Sequence, residues 1–177
     1  MARKHAVLSA SSSARWIACP PSARLNAEKS DTPSEYAAQG TDAHTLCEYK
    51  LRKALGERVR DPTKNLASYD SEMEECAEAY CQFVMELVDQ FRAESKDTMV
   101  SVEQRVDFSA FVPDGFGTAD TLIISGATVC IVDYKHGKGI EVSADRNPQM
   151  MCYALGCIQM FDGLYDIDNV RMVIFQP

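Results

Sequence analysis

"FGTADTLIISGATVCIVDYK", residues 116–135, decides how this chain folds. Two runs rich in apolar and β-branched residues flank Gly126-Ala127, with glycine at the first turn position as a type II′ hairpin turn prefers. A two-residue turn pairs Ser125 with Thr128, and the register then runs outward until Asp120 stands opposite Asp133. Directly opposed side chains share a face about 4.5–5.5 Å apart at Cβ, and like charges so placed repel. Lys135 lies two residues beyond Asp133 and so on the same face. Two acids and a base at one strand end suit a divalent cation with hard oxygen ligands, Mg2+ or Mn2+, with Lys135 close enough to act on a water. The alternative reading makes Asp120 and Asp133 the solvated ends of edge strands.

The flanking segments extend the sheet. In "VSVEQRVDF" (100–108) Val100, Val102, Val106 and Phe108 alternate with Ser101, Glu103, Arg105 and Asp107, the pattern of a half-buried strand. Downstream, "DRNPQMMCYALGCIQMF" opens a helix with Asn147 as N-cap and Pro148 as its first residue, and "VRMVIFQ" is a last strand. Upstream, Ala43, Leu46, Cys47, Leu51, Ala54 and Leu55 recur at helical spacing over 40–55. A linker "RDPTKNLAS" follows, then a long amphipathic helix over 70–93 striped by Met73, Cys76, Ala77, Tyr80, Val84, Leu87, Val88 and Phe91. "SEME" at its start resembles a capping box. The fold class is therefore α/β: a mixed central sheet, made of a three-strand antiparallel meander, then a helix and a further strand, flanked by helices. Residues 1–38, rich in Ser, Ala and Pro, read as a loop or short-helix segment packing on a domain that spans 39–177.

Composition narrows the functional classes. A chain of 177 residues, 46% hydrophobic and 25% charged, suits one domain with a substantial core. No apolar run approaches the ~18–20 residues needed to cross a bilayer, so no membrane partner is expected. The N-terminal stretch is broken by Ser before a signal h-region can form. Seven cysteines, an odd count without secretory context, fit a reduced cytoplasmic protein. The net charge of −8 opposes broad phosphate-neutralising binding of nucleic acid, though it leaves room for an acidic metal site.

A second feature joins the strand set. In "QGTDAHTLCEYKL", His44 and Glu48 stand one helical turn apart at the margin of the apolar stripe. Such a pair is commonly a helix salt bridge or capping feature; beside an Asp/Asp/Lys set, it offers a third metal ligand.

Four segments in this order, "GTDAHTLCE", "DGFGTAD", "IVDYKHGK" and "NPQMMCYALG", together resemble the RecB-type branch of the PD-(D/E)XK nuclease superfamily. The nearest likeness is to a nuclease-like family of phages and prophages, over roughly residues 8–177. "DYK" alone is a weak motif; the ordered His, GxxD, DxK and QxxxY set is specific. The resemblance implies a restriction-endonuclease-like core. It implies Mg2+ or Mn2+ held by His44, Asp120 and Asp133 with the Tyr134 backbone carbonyl, and Lys135 activating the water. It implies that Gln149 and Tyr153 border the site and contact nucleic acid; a core Tyr beside a surface Gln is the plainer reading. Glu48 reaches the metal through water or holds Lys135, ranked below His44. Lys138 and Arg146 are candidates for nucleic-acid contact, as is Arg105.

"SASSSARWIACPPS" also looks like the opening of RecB-type nucleases, in some of which that Cys begins an iron–sulfur cluster. Here the later candidates Cys152 and Cys157 lie inside one helix, five residues apart, so no iron–sulfur cluster is expected and Cys19 reads as a plain thiol. The expectation is a metal-dependent deoxyribonuclease, an exonuclease of phage or prophage DNA recombination or processing in the bacterial cytoplasm. DNA and a phage recombination or replication protein are its partners. The rivals are a non-catalytic DNA-end-binding or scaffold module and a hydrolase of other substrates. Because relatives commonly continue past this point, a domain truncated at its C-terminus is also expected.

Overall fold

Gly126 makes the turn on which the sheet is built: it takes φ 53°, a conformation glycine reaches without steric cost, while Ala127 stays at negative φ. The strands it joins, β2 (Phe116–Ser125) and β3 (Thr128–Tyr134), pair antiparallel from Ser125↔Thr128 to Thr121↔Val132, in the register expected from the turn. β1 (Met99–Asp107) pairs antiparallel with β2, and β4 (Asn169–Phe175) runs parallel to β3, giving the order β1-β2-β3-β4. The computed structural model describes residues 6–27, 34–137 and 140–177 of the chain.

Helices cover both faces of this mixed sheet. On one side lie α3 (Glu35–Ala54) and α4 (Ser71–Glu94), whose buried stripes meet Val102, Ile123, Cys130, Val132 and Tyr134. On the other lies α5 (Pro148–Phe161), the crossover from β3 to β4, packed over Val106, Ala119, Leu122, Ile124, Val129 and Ile131. Two short helices, α1 (Ser13–Ala18) and α2 (Pro21–Ala27), follow a 3-10 turn at Ala10–Ser12, and the turn and α1 pack on α5. β3 is buried on both faces, as a central strand between two helical layers should be.

Local chemistry explains the helix ends, with one correction. Asn147 caps α5 by accepting from the Gln149 and Met150 amides, and Pro148 opens the helix. At α4 the cap is Asp70, accepting from Met73 N at 2.7 Å, rather than the box expected at Ser71 and Glu74. Glu74 instead binds Lys50 of α3 at 2.7 Å, and a side chain committed to a tertiary partner cannot fold back onto its own N-terminus. α3 begins at Glu35, with Ser34 accepting from Ala37 N, a turn earlier than the apolar spacing indicates. The stripes hold with small shifts: Cys81 is buried where Cys76 is only partly so, and Ala54 is exposed.

Candidate functional site

The two ladders of β2 are interrupted at one level. β1 pairs Val102 with Thr121 and Gln104 with Ala119 but skips Glu103 and Asp120; β3 stops pairing after Val132, just before Asp133. Glu103 takes φ 52°, which bulky residues adopt rarely. No residue is inserted, yet the pleat reverses: Val102 packs under α3 and α4 while Val106 packs under α5, although an unbroken strand would put them on one face. Ala119 and Leu122 both pack under α5 for the same reason. The defect therefore sets Glu103, Asp120 and Asp133 in a row across three adjacent strands.

Asp120 sits where β2 leaves β3 and satisfies groups on both sides of the gap. Its Oδ2 accepts the Tyr134 N–H at 2.7 Å, taking the place of a strand carbonyl, and its Oδ1 lies 3.1 Å from Nδ1 of His44 on α3. The Tyr134 carbonyl points to the same side of β3 as its N–H, as both groups of one strand residue do. The Tyr134 ring turns the other way into the core, edge-on to His44 with centroids 5.5 Å apart.

On the α5 side, Asp133 is only 2% exposed. Its Oδ1 accepts from Gln149 Nε2 at 2.7 Å. Its Oδ2 lies 2.8 Å from Lys135 Nζ as an ion pair. Lys135 in turn donates to Gln149 Oε1 at 3.0 Å. Tyr153, one turn along α5, donates to Thr118 O at 2.7 Å and lies 3.4 Å from the Gln149 amide. Its ring is 3% exposed, so it is a packed tyrosine that still reaches the cleft wall. These groups line one cleft of about 730 Å3, together with Ser9, Ser11, Thr41 and Phe116.

Electrostatics marks the same residues. Burial, with the charges of Asp120 and Glu48 adding to it, pushes the Glu103 carboxyl up to about 7 against the opposing pull of His44 and Arg52. Burial and then Asp120 raise Asp133 above the ordinary carboxylate range, with Lys135 opposing. Burial pulls His44 down, but its hydrogen bond to Asp120 and the charges of Asp120, Asp133 and Glu103 outweigh it, leaving the imidazole raised. Repelling, desolvated carboxylates that share a cleft are a state a bound cation relieves.

The residues that could hold one are identifiable. His44, Glu103 and Asp120 offer ligand atoms all within 4.8 Å of one another. Asp133 flanks them, its Oδ2 ion-paired with Lys135 Nζ at 2.8 Å. The sequence reading placed Glu103 on the polar face of a regular strand; the reversal of the pleat brings it into the site instead. Its signal was the row itself, legible only once the β1–β2 register is known.

Two expected residues are placed differently. Glu48 does not reach Lys135 or the cleft: it pairs with Arg52 at 2.8 Å, and Arg52 also donates to Val102 O at 2.8 Å. A further helical turn carries Glu48 along the α3 axis to a cation that is closer. Arg146 is exposed at φ 52° in the turn before α5 and does not line the cleft. Lys138 lies outside the described residues. Of the cysteines, Cys152 and Cys157 are buried in the core beneath α5, whereas Cys19 is exposed between α1 and α2.

Among the described residues no helix is long and apolar enough to cross a membrane. No solved structure matches the chain. One family model matches residues 5–177, nearly its whole length, and the chain therefore belongs to that family, described as "Protein of unknown function (DUF2800)".

Proposed function

We propose that this protein is a metal-dependent nuclease with a restriction-endonuclease-like core, hydrolysing phosphodiester bonds in DNA. The observation that carries the reading is the row of Glu103, Asp120 and Asp133 facing His44, with one ammonium, Lys135, fixed among them. A strand meander followed by a helical crossover to a parallel strand, with Asp120 and Asp133 at the level where β2 and β3 part, fits that fold.

The donor set fits Mg2+ or Mn2+: carboxylate oxygens clustered with one imidazole. His44, Glu103, Asp120 and Asp133 would hold the ion, with the Tyr134 carbonyl beside them. Such a cation supplies Lewis acidity toward a phosphoryl oxygen and lowers the pKa of a water. Lys135, held by Asp133 and Gln149, keeps donor capacity to orient that water and meet charge developing on the phosphoryl group. Gln149 works through Asp133 and Lys135, since its amide is already bonded to both.

The test is cleavage of linear and circular DNA, single- and double-stranded, with Mg2+, Mn2+ or EDTA. Wild type is compared with Asp120→Ala and Lys135→Ala. Metal-dependent cleavage lost in both variants supports the reading, and cutting confined to linear DNA marks an exonuclease. Intact cation binding without cleavage of any substrate sinks it in favour of a binding module.

A further inference from the structure

Among the described residues the cleft lining holds three carboxylates and a single ammonium, so little in that lining attracts a polyanion except the cation itself. Grip on a nucleic-acid strand has to come from another kind of contact, and its rim carries one. Arg105 pairs with Thr118 across β1 and β2, and Phe116 lies two residues from Thr118 on the same face. The Arg105 guanidinium carbon sits 3.6 Å above the centroid of the Phe116 ring, at stacking distance. Phe116 belongs to the cleft wall, and Arg105, stacked on it, is an exposed residue.

We infer that Arg105, stacked on Phe116, is a platform for a base of an unpaired strand, and that the site takes single-stranded DNA rather than duplex. The inference rests on the nuclease reading and adds the substrate class. A planar cation backed by an aromatic ring continues a base stack whatever the base, the contact used by proteins that hold single strands. Duplex binding instead draws on many Lys and Arg side chains that each neutralise a phosphate. This chain carries 18 of those against 26 acids. The cleft of about 730 Å3 falls within the roughly 300–1,000 Å3 range of sites for small ligands, which suits a nucleotide or two threaded past the acids.

The experiment measures fluorescence anisotropy of a labelled single-stranded deoxyoligonucleotide and its duplex, with Ca2+ present to hold off turnover, across a salt series. Wild type, Arg105→Ala, Arg105→Lys and Phe116→Leu are compared. Thermal melting and Mn2+ titration check that each variant keeps its fold and cation site. The single strand should bind at least about 10-fold more tightly than the duplex, with a log–log salt slope shallower than about −2. Arg105→Ala should raise the single-strand Kd about 5- to 100-fold, and Arg105→Lys should not restore it, because an ammonium keeps the charge and loses the plane. Equal or tighter duplex binding, an unaltered Arg105→Ala, full rescue by Arg105→Lys, or no binding at all would overturn the inference. The two readings fail separately. Single-strand binding without cleavage in Mg2+ or Mn2+ sinks the nuclease reading alone, whereas duplex cleavage unaffected by Arg105→Ala sinks only the platform.

Discussion

Asp120 caps the Tyr134 amide: its Oδ2 accepts that N–H at 2.7 Å at the level where β2 and β3 part. The carboxylate is thus both a structural acceptor and, through Oδ1, the partner of His44 at 3.1 Å. The two roles separate by substitution. Asp120→Asn keeps an acceptor for Tyr134 and removes the charge, so it should fold like wild type while its Mn2+ affinity drops by more than about 100-fold. Asp120→Ala also orphans the amide and should lose about 1–3 kcal/mol of stability as well. Calorimetric titration and thermal melting read the two effects; equal melting of the Ala and Asn variants would mean the cap contributes nothing.

The row of acids gives the metal-free protein an unusual pH dependence. Burial, then Asp120, holds Glu103 up to about 7 from an ordinary 4.5, and Asp133 is raised by the same causes. A raised acid binds its proton more readily in the folded chain than in the unfolded one, so stability falls as pH climbs from about 4.5 to about 7. The raised His44 acts in the same direction, since its stabilising contribution is complete below 6.5 and is lost as pH passes its folded value. In EDTA the melting temperature should decline across this window and level off above it. Saturating Mn2+ should flatten the decline, because the ion binds the deprotonated ligands. A melting temperature that rises over the window in EDTA contradicts the cluster.

Glu103→Gln separates stability from function. The glutamine keeps the size of the side chain and removes a desolvated charge that the pull of His44 and Arg52 only partly offsets. The metal-free variant should therefore melt higher than wild type at pH 8, and the pH-dependent decline should shrink. Cation affinity should fall about 10- to 100-fold. Unchanged affinity would remove Glu103 from the ligand set.

Gly156 tests the packing that carries the α5 side of the site. A Cβ built there would lie 2.5 Å from Val106 Cγ1 and 2.7 Å from the Asp107 carbonyl oxygen. A backbone carbonyl cannot swing aside as a side chain can, so Gly156→Ala should push α5 off β1 and cost about 1–3 kcal/mol. Because Gln149 and Tyr153 ride on the same helix, activity should fall along with the melting temperature.

The legible parts of this fold are those where one local rule settles the geometry. Gly126-Ala127 fixed the β2–β3 register and so placed Asp120 level with Asp133, and Asn147-Pro148 located the start of α5. His44 was readable because a helical stripe defines its margin. Glu103 was not, because the β1–β2 connection over 108–115 follows no two-residue turn rule and leaves the register open. A single residue at φ 52° then turned the strand over without adding to its length. Glu48 misled because spacing along a helix states which residues share a face, not which cation is nearest, and Arg52 captured it.

Gln149 is bound at both ends of its amide to other residues of the cleft. The resemblance placed it on nucleic acid, but its amide donates to Asp133 Oδ1 at 2.7 Å and accepts from Lys135 at 3.0 Å, so both hydrogen-bonding ends serve other site residues. As a positioning residue it should matter to turnover more than to substrate binding. Gln149→Ala frees Lys135 to swing and leaves Asp133 Oδ1 without its donor, so kcat should fall about 10- to 100-fold while KM changes little. Gln149→Glu should do worse, because a second carboxylate beside the buried Asp133 repels it and competes for Lys135. That variant should also shift the pH profile of kcat upward, an effect that loss of a nucleic-acid contact would not produce. Kinetics of the two variants over pH 6–9 decide between the roles: a rise in KM with kcat intact would return Gln149 to the substrate.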